Sequence, residues 1–228
     1  MYLPAQHAWI DRSSIVAFCR AHPFATLVSQ GTAGPEAQHI PLLIDPAENG
    51  DGLVLHGHAA LGNPLWQAST ALAIFHGPHA YVSAAWYDED DTVPTWNYLA
   101  VHAGGDLRVI NDPNLVQALF TRLGATDPEA EVWRRRLSHE ALGRMSQAIR
   151  WFRIDAVQVQ AKAKLSQHHP PGRQQRVIQR LLASDDPAAQ AVGLAMHRTL
   201  TGGLPWEASP GLTPVVPPDD HRKSPEAT

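Results

Sequence analysis

Short runs of β-forming residues follow one another with only turn-length connections between them. No other feature of this chain constrains its fold as strongly. FATLVS (24–29), QHIPLLID (38–45) and GLVLHGH (52–58) are separated only by Gly31–Pro35 and Pro46–Gly52. Parallel neighbours would need a crossover of about a dozen residues or more, so these runs pair antiparallel. ALAIFHG (71–77) is apolar enough for a buried strand, and AYVSAAWY follows the Gly77-Pro78 break. VPTWNYLAVHA (93–103) and DLRVI (106–110), joined by Gly104-Gly105, read as a hairpin. WFRIDAVQVQAKAKLS (151–166) reads as one long strand or two bent ones. About seven strands with few helices between them predict a mainly β protein, a closed antiparallel barrel with peripheral α-helices.

Helical periodicity appears at 11–21, opened by Ser13 and Ser14 and stopped by Pro23, and briefly at 63–68 after Asn63-Pro64. It returns at 112–123, 127–149, 173–184 and 187–199, the last capped by Asp186 ahead of Pro187. The expected organisation is a barrel domain over 1–168 with N-terminal and inserted helices, then a helical extension over 169–202. Residues 203–228 hold six prolines and little apolar periodicity. Such a segment cannot offset its ordering entropy, so it is expected to be a mobile tail.

Charge and cysteine content exclude several classes. With 18 Lys and Arg against 22 Asp and Glu, the net charge of −4 provides no overall field to attract nucleic acid. Cys19 is the single cysteine, which excludes an intramolecular disulfide and a cysteine-rich zinc site. No apolar run approaches the roughly 20 residues that span a bilayer. The N-terminal MYLPAQHAWIDR has no basic stretch leading into an apolar one, so a cytoplasmic protein is expected.

The usual phosphate-loop, dinucleotide and hydrolase signatures are missing. His56 and His58 lie two apart on a strand and therefore share a face. A metal there would need a third ligand from His76, His79 or His102, and no carboxylate sits nearby to orient them. No metal is expected. Tyr81, Trp86, Tyr87, Trp96 and Tyr98 concentrate rings with polar edges that suit a planar ligand, with Thr95 and Asn97 as hydrogen-bonding groups. The same rings would serve equally as strand core. LHGHAALGNP (55–64) is a strand-to-helix turn with free backbone N–H groups that suit phosphate. In KAKLSQH (162–168), Lys162 and Lys164 share a face; paired lysines also serve to protect an edge strand. Arg173, Arg176 and Arg180 line one helix face, a pattern that is usually a solvated face and less often a nucleic-acid contact.

In this order, MYLP, AHPFATLVS, HIPLLID, GHAALGNPLW, FHGPHAYVSAAWY, VPTWNYLAVHAGGDLRVI and KAKLSQ resemble the PaiB-type FMN-binding negative transcriptional regulators. The resemblance runs to about residue 183 and implies an FMN-binding split β-barrel, a homodimer with flavin between subunits, and a regulatory role. Haem binding, or flavin-dependent oxidoreductase activity on the same fold, is the alternative it leaves open. Carried onto this chain, the resemblance places His39 and Pro41, then His56, Gly57, His58, Ala59 and Asn63, in the cofactor site. It adds Trp96, Asn97 and Tyr98 from VPTWNY, with Lys164 and Ser166 from KAKLSQ, and assigns no catalytic residue. The histidines and Asn63 replace the Arg and Lys that clamp phosphate in flavin oxidases of this fold. Departures from the pattern are Ala84-Ala85 before Trp86, the acidic run Asp88–Asp91, and Ala161 and Ala163 between the lysines. DNA as a partner follows from the resemblance alone, since the charge and the lack of a helix-turn-helix do not support it.

Overall fold

A computed structural model describes residues 1–48, 50 and 52–207. Eight strands form one antiparallel system: β1 (Ala8–Trp9), β2 (Phe24–Gly31), β3 (Gly34–Pro41), β4 (Leu43–Pro46), β5 (Leu53–Ala60), β6 (Thr70–Val82), β7 (Thr95–Val109) and β8 (Ile149–Lys164). Their order is β3-β2-β6-β7-β8-β5-β4, with β1 also on β8. The 16-residue β8 organises the sheet. One edge of it carries β7; the other carries β5 along its first half and β1 at Ala161–Lys162. The result is a split β-barrel.

Alternation along each strand defines the inside. Leu27, Leu55, Phe75, Val101, Phe152 and Ile154 are fully buried in one core. Helix α1 (Arg12–Ala21) closes one end, with Phe18 against Trp9 at a ring distance of 5.3 Å. Asp11 caps it by accepting from the Ser14 N–H, not Ser13 or Ser14 as the sequence suggested. Helices α2 (Pro113–Gly124), α3 (Ala130–Arg134) and α4 (His139–Gln147) occupy the β7–β8 connection. The expected continuous helix over 127–149 is broken between α3 and α4, where Ser138 caps α4. Helices α5 (Pro171–Leu182) and α6 (Pro187–Leu200) add Val177, Leu181, Val192 and Met196 to the barrel's own core. No helix among the described residues is long and apolar enough to cross a membrane.

Three local readings are corrected. Gly104-Gly105 is no hairpin turn, because β7 runs straight through it with a register shift against β8 between Gly104 and Asp106. A glycine pair signals a tight turn and a bulge equally well. QHIPLLID is two strands, broken where Leu42 turns inward and donates its N–H to the Pro23 carbonyl at 2.9 Å. The third concerns the beginning of the proline-rich segment. Pro205 is buried, and Trp206 packs on Phe18 and His22 with ring distances of 5.4 and 4.9 Å. The Ser14 hydroxyl donates to the Trp206 carbonyl. Trp206 thus packs on the α1 end while Gly203 and Glu207 contact Arg198 of α6, and 208–228 fall outside the described residues. Truncation after Gly202 is expected to lower Tm by about 3–8 °C relative to truncation after Glu207. Equal melting temperatures would show that the Trp206 contact contributes nothing.

Candidate functional site

Outward residues of β6, β7 and β8 line up in rows across the sheet. Tyr81 pairs with Trp96; His79, Tyr98 and Lys164 form the next row; His76, Ala100 and Lys162 follow, then Ile74, His102 and Gln160. A bulge between His76 and His79 keeps both histidines on this face. Trp96 and Tyr81 are half exposed. They meet edge to face at 5.8 Å, and His79 lies 6.1 Å from the Trp96 ring. The rows line an open concavity of about 550 Å³ that includes His76, His79, Trp96, Tyr98, His102 and Lys162. That size suits a small-molecule site.

The two lysines determine its electrostatics. Lys162 is only 8% exposed, donates to the Tyr2 carbonyl at 3.0 Å, and lies 5.5 Å from the Tyr98 ring and 5.7 Å from the Tyr2 ring. Lys164 donates to the Trp96 carbonyl at 2.9 Å and to the Thr95 hydroxyl. Neither ammonium has a carboxylate within ion-pair distance among the described residues. Buried charge without a counter-ion is costly, and carbonyls and ring faces compensate only part of that cost. Burial, and then neighbouring positive charge, hold the His102 imidazole below its ordinary range, which leaves it neutral at pH 7. Lys162 is flanked by β7 on one edge and β1 on the other, so it does not guard an edge strand, while Lys164 pairs with Tyr98 of β7. Planar rings beside unpaired ammonium groups fit a planar anion such as FMN, whose phosphate and polar ring edge both accept hydrogen bonds.

The residues singled out in the sequence separate into three places. Trp96, Tyr98 and Lys164 lie on the open face, and His39 joins them at its margin through the row His39–Thr26–Ile74. Thr26 Oγ1 is 3.3 Å from His39 Nδ1, and the exposed Pro41 ends the same strand. Asn97 and Ser166, by contrast, are fully buried and hydrogen-bonded to each other at 3.0 Å. Asn97 also reaches Met196 Sδ, so this pair ties β7 to α6 instead of facing a ligand. Gly57 and Ala59 point into the barrel; a Cβ on Gly57 would lie 2.6 Å from the Phe152 ring.

His56 and His58 do share a face, as their spacing predicted, but it lies under α2. His58 packs on Trp151 at 4.8 Å, and Trp151 meets Phe120 of α2 at 5.4 Å. Asp45 takes a bidentate pair of hydrogen bonds from Arg122 of α2, both 2.8 Å, and lies 3.8 Å from His56 Nδ1. His76, His79 and His102 belong to the other face, so they supply no third ligand, and no metal-binding cluster occurs among the described residues. Asn63 Oδ1 caps the 3₁₀ turn Pro64–Gln67, and its amide donates to Gln38. The phosphate clamp of His39, His58 and Asn63 is therefore not assembled. The sequence reading notes that Lys162 shares a face with Lys164 but leaves it out of the cofactor site, and it does not single out Tyr2.

The aromatic block divides as well. Tyr87 is buried against His169 and Arg173, while Trp86 stays near the surface. Asp88 and Asp91 adopt positive φ, 52° and 54°, in the turn that aims Glu89 at α5. Glu89 accepts from Arg173 and from Arg176, the latter at 2.5 Å, and these guanidinium groups hold its carboxyl below the usual range. Two of the three aligned arginines are thus internal partners of the acidic loop.

Residues 1–158 match the family model described as "Putative FMN-binding domain". The chain is 31% identical to the protease synthase and sporulation protein PAI 2 of Bacillus subtilis, over 88% of this chain and 98% of that protein. It is 34% identical to an uncharacterized protein of Emericella nidulans, over 49% of this chain and 58% of that one. Among solved structures, the flavocytochrome Anf3 of Azotobacter vinelandii shares the fold, with a TM-score of 0.51 at 16% identity over 68% of each chain. Matched by the family model over residues 1–158 and aligned with PAI 2 over 98% of that protein's length, this split-barrel chain belongs to the FMN-binding domain family and is a relative of PAI 2.

Proposed function

We propose that the chain binds FMN on the open β6–β7–β8 face, with a second copy of the chain covering that face, and that it acts in regulation as its kinship with PAI 2 suggests. The observation that carries this reading is Lys162, a nearly buried ammonium without a carboxylate partner, beside Lys164 and the Trp96–Tyr98 shelf. When bound, flavin supplies a redox-active ring that is also a chromophore. Lys162 and Lys164 would neutralise its anionic groups, Trp96 and Tyr98 would cover an apolar surface of the ring, and the barrel beneath excludes water from one side. The exposed Phe24, with the half-exposed Trp96 on the same side, supports a covering copy of the chain. With Arg173 and Arg176 held by Glu89, α5 offers little free charge to DNA, which favours regulation by ligand state over direct contact through this helix.

Titrating FMN against its own fluorescence tests the site. Lys164→Ala and Lys162→Met are each expected to weaken binding about 10- to 100-fold, the worth of a hydrogen bond to a charged group. Unchanged affinity in both variants would remove the lysines from the site. A Soret band in purified protein would favour haem instead. Light scattering is expected to report a dimer at micromolar concentration, and a monomer would overturn the covered face.

A further inference from the structure

Beyond the flavin face, a second concavity of about 720 Å³ lies where the Tyr81–Trp96 end of the sheet meets the turn between α5 and α6. Trp96 and His79 form the wall it shares with the first. Tyr81 and Trp86 continue the aromatic lining, and Arg180 and Ser184 close the side formed by α5. Three planar side chains around one groove provide stacking surfaces, and two of them, Tyr81 and Trp96, are left about half exposed.

Arg180 is the distinguishing group. It continues the helix face begun by Arg173 and Arg176, but Glu89 reaches only those two. Arg180 has no carboxylate within ion-pair distance among the described residues. The groove contains one acidic residue, Asp186, and its Oδ1 is engaged by the Ala188 N–H at 2.9 Å at the start of α6, where the helix dipole offsets its charge. A planar guanidinium beside aromatic walls suits a flat apolar body ending in a carboxylate.

We propose that this groove is a second binding site, separate from the flavin face, for a planar aromatic carboxylate stacked among Tyr81, Trp86 and Trp96 and anchored by Arg180. Because Trp96 is common to both concavities, a ligand here lies next to whatever occupies the flavin face. The assignment does not depend on FMN binding.

Calorimetric titration of the full-length chain with 2-naphthoate and its neutral analogue 2-naphthamide tests it, in the presence and absence of saturating FMN. One naphthoate should bind per chain, with the amide at least about tenfold weaker for want of the charge-assisted pair. Arg180→Gln should weaken naphthoate at least about tenfold and leave FMN affinity unchanged; Arg180→Lys should restore it only in part, since an ammonium lacks the planar fork. Equal binding of acid and amide, no naphthoate binding, or insensitivity to Arg180→Gln overturns the proposal. Competitive displacement of naphthoate by FMN also overturns it, by making the groove part of the flavin site. If FMN fails to bind while naphthoate behaves as expected, the flavin reading falls and this one stands.

Discussion

Gly105→Ala is expected to destabilise the protein by about 3 kcal/mol or more, a drop of roughly 6–12 °C in Tm for a chain of this size. A Cβ at that position would lie 1.9 Å from the Asp155 carbonyl oxygen and 2.7 Å from its carbon. Both are backbone atoms of β8, so relief requires the β7–β8 ladder to separate at its register shift. Nothing there can rotate out of the way. Gly104→Ala is the control: its nearest neighbour is the Leu72 Cδ1 atom at 3.4 Å, an ordinary contact with a movable side chain. That variant should cost about 1 kcal/mol or less, since surface-like changes without a clash stay small. Urea unfolding of the two variants decides the matter. Comparable stabilities would mean that the bulge tolerates a side chain and that the close approach does not constrain position 105.

The unfolding free energy is expected to decrease by up to about 3 kcal/mol through His56 alone as the pH is lowered from about 6.5 to 4. Burial first, partly opposed by Asp45 nearby, lowers the His56 pKa to about 4. Neither ring nitrogen has a hydrogen-bond partner, and the residue is 6% exposed. In the unfolded chain the imidazole takes up a proton near its ordinary pKa, whereas in the folded chain it resists until near pH 4. The unfolded state therefore binds more protons in this window, so the stability is fully present above about pH 6.5 and is lost as the pH falls towards 4. His56→Leu should flatten the slope of unfolding free energy against pH across that interval. Some slope will remain, because burial also lowers the pKa of His7, His22, His58, His102 and His169. Parallel profiles for the two proteins would exclude His56 as a source of acid sensitivity.

Much of the architecture was legible because it is encoded in local chemistry. Asp112 ahead of Pro113 and Asp186 ahead of Pro187 mark helix starts that the structure confirms, each aspartate accepting from a first-turn N–H at 2.9 Å. The period-2 pattern of GLVLHGH put His56 and His58 on one face correctly. The site itself was harder to read. WNY looks like a unit in sequence, yet alternation sends Asn97 into the core while Trp96 and Tyr98 face out. The segment 203–207 is too short for periodicity to show, and only the contact of Trp206 with Phe18 of α1 reveals it as a packing residue.

Antiparallel pairing, the Asp-Pro helix caps and the aromatic enrichment of AYVSAAWY and TWNY are thus properties of the sequence alone, since each rests on neighbours within a few residues; the number and bounds of the strands are not. Tertiary structure decided which face was which. His56 lies under α2 and Trp96 stays open because Arg122 reaches Asp45 across 77 positions of chain, whereas no described helix crosses β6–β8 at Lys162. Lys162 became a central residue because β8 acquired neighbours on both edges there, β7 and β1. Gly104-Gly105 became a bulge because Asp155 approaches it from 50 residues away. Period and turn chemistry are set by adjacent residues, but exposure, charge pairing and strand neighbours depend on non-local register, which exists only once the barrel has closed.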